Sequence, residues 1–333
     1  MTTGASTFGF VGRGSHKWLG GALANDGKIY CAPHCATEVL CIDPVTRSVS
    51  KFGCLDKGQY QWSGGVLGPN GKVYCAPSSA EEVLCIDPAT RTVSTFGNFG
   101  TGVAKWCGGV LASDGKIYMV PFYADRVLCI DPETDTASTF GVVNGKATVG
   151  GGEAKWWGAA LGADDKIYCV PHCADEVLCI DPATRKLSTF GTVGQADRKW
   201  SGGVLGTDEK IYCVPHSAGT VLCINPVTRK VSTFGSVPGI CRWSEGDLAM
   251  DGKIYCCPSY AGEVLCIDPE KSTVSLFGSL KEAFGYVDAG GFKWGGGVHA
   301  PDGDGKGKIF GIPEFASEVL EIDPLQTAAA RES

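Results

Sequence analysis

Seven tryptophans, Trp18, Trp62, Trp106, Trp156, Trp200, Trp243 and Trp294, recur at spacings of 44, 44, 50, 44, 43 and 51 residues. A period of this size that holds from one end of the chain to the other restricts it to a repeat architecture. Each copy can bury its apolar faces only against its neighbours, so the length of 333 residues does not divide into ordinary domains.

Within a copy, as in KWSGGVLGTDEKIYCVPHSAGTVLCINPVTRKVSTFG (199–235), four strand-sized apolar runs are separated by turn chemistry. Asp26-Gly27, Asn70-Gly71, Asp114-Gly115 and Asp251-Gly252 supply the positive φ that a tight hairpin between the first two strands requires. Asp-Pro-x-Thr, as at Asp87-Pro88-Ala89-Thr90, reads as a type I turn between the third and fourth strands, with Asp accepting a local backbone bond and Pro setting φ. Four strands per copy and seven copies predict an all-β, seven-bladed β-propeller of antiparallel blades in a single domain.

The blade cores fall at 17–53, 61–97, 105–141, 155–191, 199–235, 242–278 and 293–327. The seventh copy lacks a fourth strand, whereas Ala5 to Gly9 reads as a fourth strand without a blade. Pairing of the two is expected to close the ring and remove its open edges. Longer linkers, 142–154 with its glycine run and 279–292, enter blades four and seven, and 303–306 lengthens a hairpin of blade seven. Asp302 to Gly307 lacks the ligand spacing of a calcium loop and reads as a hairpin extension.

Of the 17 cysteines, eleven recur in two fixed slots of the copies, five after Tyr and six in Val-Leu-Cys-Ile, as packing residues do; the cysteines are expected to be reduced. A net charge of −7 without a basic stripe argues against nucleic-acid binding. The apolar runs are too short to span a bilayer, and the first residues do not read as a secretory signal, so the expectation is a cytoplasmic monomer away from membranes.

The pairing of DGKIY with VLCIDPATRKLSTFG resembles the YVTN-type propeller repeats, and more loosely the repeats of virginiamycin B lyase, also a seven-bladed propeller. The resemblance covers the chain blade by blade and implies architecture. The lyase family uses a catalytic histidine and magnesium, but its motif has no counterpart that can be placed on this chain.

Candidate functional residues lie on the face that carries the inter-blade linkers and the loops between second and third strands, where length and residue type vary against a constant scaffold. Lys17, Gln61, Lys105, Lys155, Lys199, Arg242 and Lys293 precede the tryptophans. They form either a positive rim around the channel, suited to an anionic ligand, or scaffold, with each Lys stem lying over its Trp and its head in water. The second-to-third loops offer His34, Phe122, Tyr123, His172, His216, Tyr260 and Phe315 as binding residues.

Blade six departs from the repeat in its first strand, where Ser-Gly-Gly-Val-Leu becomes Ser244-Glu245-Gly246-Asp247-Leu248. Alternation would put both carboxylates on one side of the strand, about 6–7 Å apart. They could hold a channel-bound Ca²⁺ or Mg²⁺, act as an acid–base pair with neighbouring His299, or pair with Arg242 or Lys293. The leading expectation is a non-catalytic propeller that binds a protein segment or glycan through its loop face. A metal-assisted lyase or hydrolase at the channel mouth, with Glu245, Asp247 and His299 as its catalytic candidates, is the alternative; a propeller with no ligand is the third.

Overall fold

The computed structural model describes residues 4–143, 154–239, 242–280, 292–302, 305 and 307–325. The glycine run at 150–152, most of the 303–306 insertion and the end of the seventh core beyond 325 lie outside these residues.

Among the described residues, twenty-eight strands are numbered β1 to β28 in chain order, and they form seven four-stranded antiparallel sheets around a ring. Blade five is typical: β18 (Trp200–Leu205), β19 (Ile211–Pro215), β20 (Val221–Asn225) and β21 (Lys230–Phe234) run from the channel outward. The second and third strands are buried along nearly their whole length, as expected for strands packed between neighbouring blades. The fourth strand is the outer edge and alternates with solvent.

Each turn has the chemistry its sequence implies. Gly27, Gly71, Gly115 and Gly252 adopt φ of 76–80° at the first hairpin. Asp43 Oδ1 accepts from the N–H groups of Val45 and Thr46 at 3.1 and 3.0 Å, and Asp87 does the same for Ala89 and Thr90 at 2.9 and 3.2 Å. Every repeat tryptophan is buried and donates its indole N–H to a backbone carbonyl near the start of its blade's third strand, as Trp18 does to Glu38 at 2.8 Å.

β1 (Ala5–Phe10) pairs antiparallel with β28 (Glu318–Ile322) in the order β1, β28, β27 (Lys308–Pro313), β26 (Trp294–Ala300). The ring therefore closes as the sequence implied. All sixteen cysteines among the described residues are free, and fourteen are buried. No described helix is long and apolar enough to cross a membrane.

Candidate functional site

The innermost strands set the geometry of the channel. The glycine two residues after the repeat tryptophan has positive φ in six blades: Gly20, Gly64, Gly108, Gly158, Gly202 and Gly296, at 63–114°. A Cβ on Gly20 would meet Gly64 Cα at 2.6 Å, and one on Gly64 would meet Gly108 Cα at 2.7 Å. The blades thus approach backbone to backbone at a constriction that excludes side chains. In blade six this slot holds Glu245, at φ 31°, the residue that bulges β22 (Trp243–Leu248) between Ser244 and Gly246.

The Glu245 side chain therefore lies across the lumen. Its Oε1 accepts from Trp157 Nε1 of blade four at 3.3 Å, and its Oε2 lies 3.1 Å from where a Cβ of Gly296 in blade seven would be. Burial pushes its carboxyl pKa up, and the indole bond opposes the shift only in part. The lumen here has a volume of about 110 Å³, lined by the glycines and Glu245.

The bulge undoes the alternation that would have set Asp247 beside Glu245. Asp247 lines the wider end of the channel toward the hairpin face, with Leu67, Leu111, Leu161 and Leu205. Its oxygens accept from the backbone N–H groups of Leu248 and His299 at 2.8 and 2.9 Å. His299 thus meets Asp247 through its backbone, while its ring lies over Gly307 and its buried Nε2 has no hydrogen-bond partner. The three residues do not converge on one cation, and no group of three metal-type ligands occurs among the described residues.

The basic ring sits with the scaffold, Lys17 Nζ lying 6.0 Å from the Trp18 ring, but its ammonium heads do not reach water as the scaffold expectation had it. Lys17, Lys105, Lys155 and Lys199 are buried, and their ammonium groups donate to backbone carbonyls instead of reaching water or the channel. Lys17 Nζ bonds Gly14, Glu314 and Ala316 carbonyls at 3.1, 3.0 and 2.9 Å. Lys105 bonds Ala80 and Gly102, at 2.7 and 3.1 Å, Lys155 bonds Tyr123 at 3.1 Å, and Lys199 bonds Ala196 at 2.8 Å. Their backbone N–H groups also bond the loop of the preceding blade. These lysines are inter-blade staples, and burial lowers the pKa of Lys17 to about 8. Lys293 is likewise lowered to about 8 by burial and then by Arg242, whose guanidinium packs over Gly239; Gln61 Nε2 bonds its own linker at Gln59.

Above the constriction, the loop face gathers a continuous set of rings. On one side Phe122 stacks on Tyr123 at 5.1 Å and meets Trp157 edge-on at 5.4 Å; Trp157 contacts His172 at 5.1 Å, and His172 contacts His216 at 5.3 Å. On the other, His16 meets Phe315 at 4.4 Å and Tyr60 at 5.1 Å, and Tyr60 meets His34 at 5.1 Å. Phe292 joins the arcs, 6.5 Å from His216, 6.1 Å from His16 and 4.7 Å from Tyr260.

The loop histidines are held neutral. His34 Nδ1 and His172 Nδ1 bond the carbonyls of Trp62 and Trp200 at 2.8 and 2.9 Å. Burial lowers their pKa values to about 4 and about 3, and that of His216 to about 4. His16 Nδ1 instead faces Glu314 Oε1 at 2.7 Å, and burial raises the Glu314 carboxyl.

The structure thus brings together His34, Phe122, Tyr123, His172, His216, Tyr260 and Phe315, and adds Trp157, His16, Tyr60, Phe292 and Glu314. Trp157 had a signal in the sequence, since the residue after the repeat tryptophan is Leu, Ser, Cys or Gly in the other blades. His16, Tyr60 and Phe292 share the slot just before the recurrent basic or Gln61 position, which varies from blade to blade.

Glu245 carries a cost that its neighbours do not. A left-handed non-glycine residue is strained by about 1–2 kcal/mol, and a buried carboxylate adds to that. Glu245→Gly, which restores the residue of the other six blades, is expected to raise the melting temperature by roughly 1–4 °C at pH 7. The gain should shrink as pH falls toward 4.5, the ordinary value of the group, because a raised folded-state pKa destabilises only above the unfolded one. Differential scanning calorimetry at pH 7 and pH 4.5 reads both; a lower melting temperature at pH 7 would contradict the strain assignment.

No family model matches the chain, and no curated protein matches it in sequence. In shape it is similar to streptogramin B lyase, with a TM-score of 0.76 at 13% identity over 95% of this chain and 96% of the other. Virginiamycin B lyase from Staphylococcus aureus aligns with a TM-score of 0.76 at 12% identity over 95% and 98%. An extracellular domain assigned to a hybrid two-component system of B. thetaiotaomicron aligns with a TM-score of 0.69 at 10% identity, over 99% of this chain and 42% of that one. At these identities the likeness shows the fold alone. The chain is a seven-bladed β-propeller whose structural neighbours include the virginiamycin B lyase propellers.

Proposed function

We propose that this protein is a binding propeller, and that its ligand site is the aromatic mouth on the loop face above the constriction closed by Glu245. The observation that carries the reading is the contact between two breaks in the repeat: Trp157 of blade four donates to Glu245 of blade six at 3.3 Å. Both residues depart from the repeat, and one is strained; departures of that kind are where a scaffold yields to a ligand. Tyr60, Tyr123 and Tyr260 leave aromatic surface exposed around them. Rigid aromatic side chains supply large contact area at small entropic cost, which suits a sugar, a peptide side chain or a small organic molecule.

A fluorine-labelled fragment library screened by NMR tests the reading. Hits are expected to bind the parent and to lose at least about tenfold in affinity, or 1.4 kcal/mol, in Trp157→Ala. Tyr60→Ala and Tyr123→Ala, at exposed positions, should weaken the same hits while leaving the melting temperature nearly unchanged. Hits that bind all three variants as they bind the parent would overturn the site. The buried His172 and His216 are unsuitable for such a test, since their removal disturbs packing as well as the mouth.

A further inference from the structure

The mouth has a charge character that narrows its ligand. Its floor is the Glu245 carboxylate, which among the described residues takes one hydrogen bond, the 3.3 Å contact from Trp157, and makes no ion pair. Its second acidic group is Glu314, beside His16. The ring's cations do not neutralise the floor: Lys17, Lys105, Lys155 and Lys199 donate to backbone carbonyls of the linkers and loops, and neither Lys293 nor Arg242 acts on the Glu245 carboxyl. Around the floor stand rings without formal charge, with Phe122, Trp157, His172 and His216 on one side.

A carboxylate beneath π-faces excludes an anion and leaves a neutral ligand without a partner for the charge. An inorganic divalent ion would require six or more oxygen donors, and no group of three metal-type ligands occurs among the described residues. An alkylated ammonium fits both features, because its weakly hydrated positive surface is attracted to aromatic faces and its charge is met by the carboxylate. We infer that the mouth binds an organic ammonium ion, with its cationic head against Trp157 and Phe122 and with Glu245 as counter-ion. The inference rests on the proposed mouth as the ligand site and adds the class of ligand. It also gives a reason for the strained slot: glycine would leave the floor without charge.

Calorimetric titration with choline, with tetramethylammonium and with 3,3-dimethylbutan-1-ol, the uncharged analogue of choline in which carbon replaces nitrogen, separates charge from shape. Choline is expected to bind at least about tenfold more tightly than the alcohol, and tetramethylammonium to compete with it. Glu245→Gln and Glu245→Gly should reduce that difference to the part the rings supply; Glu245→Gly keeps the backbone of six other blades and so guards against loss of folding. Trp157→Ala should weaken choline, as it weakens the fragments. A peptide bearing trimethyllysine that binds more tightly than choline would place the head group on a protein, and the reverse would place it on a free small molecule; either result supports the ammonium site. Equal affinity for choline and the alcohol, or a preference undiminished in Glu245→Gln, overturns the inference. So does failure of choline and tetramethylammonium to bind while fragments still bind in a Trp157-dependent way, a result that would leave the mouth standing as a site and reject only its charge preference.

Discussion

A chain shortened to begin at Gly12 is expected not to form the closed ring. The deletion removes β1, which supplies the outer strand of blade seven and pairs along β28 from Ala5–Ile322 to Phe10–Glu318. It also removes the buried side chains of Ala5, Phe8 and Val11. Phe8 packs edge-on against Phe310 at 6.0 Å, and Val11 N–H bonds the Ser317 carbonyl at 2.8 Å. Loss of a buried Phe and a buried Val together costs about 5 kcal/mol or more before the exposed edge of β28 is counted. That is comparable to the whole stability of a typical domain, about 5–15 kcal/mol.

The same strand supplied from the other end should restore the fold. Gly4 O accepts from Asp323 N at 2.9 Å, so the two segments lie side by side in the ring. A permuted chain that carries residues 4–11 after a short linker at its C-terminus is expected to melt within a few degrees of the parent. Circular dichroism and calorimetry of the pair check this; a truncated chain that melts cooperatively near the parent's temperature would show that the ring does not depend on β1.

The second large effect is a dependence on acid. Burial, with neighbouring His216, Arg198 and Lys199, lowers the His172 pKa to about 3 against the hydrogen bond to the Trp200 carbonyl, which raises it. A depressed histidine contributes stability that is fully present above its ordinary value of 6.5 and is lost as pH falls from there toward the folded-state value. Each unit of pH below 6.5 therefore costs about 1.4 kcal/mol per such group until the folded form protonates. Between pH 7 and pH 4.5 the parent is expected to lose about 2–3 kcal/mol more than His172→Asn, which keeps a donor for the Trp200 carbonyl but does not titrate. The buried carboxyls of Glu245, Asp247 and Glu314 act in the opposite sense, so the difference between parent and variant is the informative quantity. Urea unfolding at the two pH values measures it, and parallel losses in parent and variant would contradict the neutral, buried state of His172.

The architecture was legible because the chain states it seven times. Strand runs, Asp-Gly hairpins, Asp-Pro-x-Thr turns and the split seventh blade each pointed to the ring that is found. The site was legible only where the copy is broken. Glu245 stood out, but its partner did not, because strict alternation placed Asp247 beside it. Paired glycines inside an inner strand mark a bulge. Read that way, Glu245 occupies the bulge and Asp247 faces another part of the lumen.

The basic ring shows the opposite limit. Sequence periodicity located Lys17, Lys105 and Lys155 beside the tryptophans, but it carries no information on which carbonyls converge on an ammonium group from the preceding blade. Those carbonyls belong to Ala80, Tyr123, Glu314 and Ala316, far away in sequence from the lysines they receive. Tyr60, His16 and Phe292 were hidden for a related reason. They sit at the ends of inter-blade linkers, in a slot whose residue type varies from blade to blade, and only folding brings their rings over the channel.

The most direct measurement is diffraction from crystals soaked in the fragment hits and in choline. The account expects density on the loop face among Trp157, Phe122, Tyr60 and Phe292, with the ammonium of choline over Glu245. Density confined to the hairpin end of the channel beside Asp247, or to the outer strands of the blades, would contradict it.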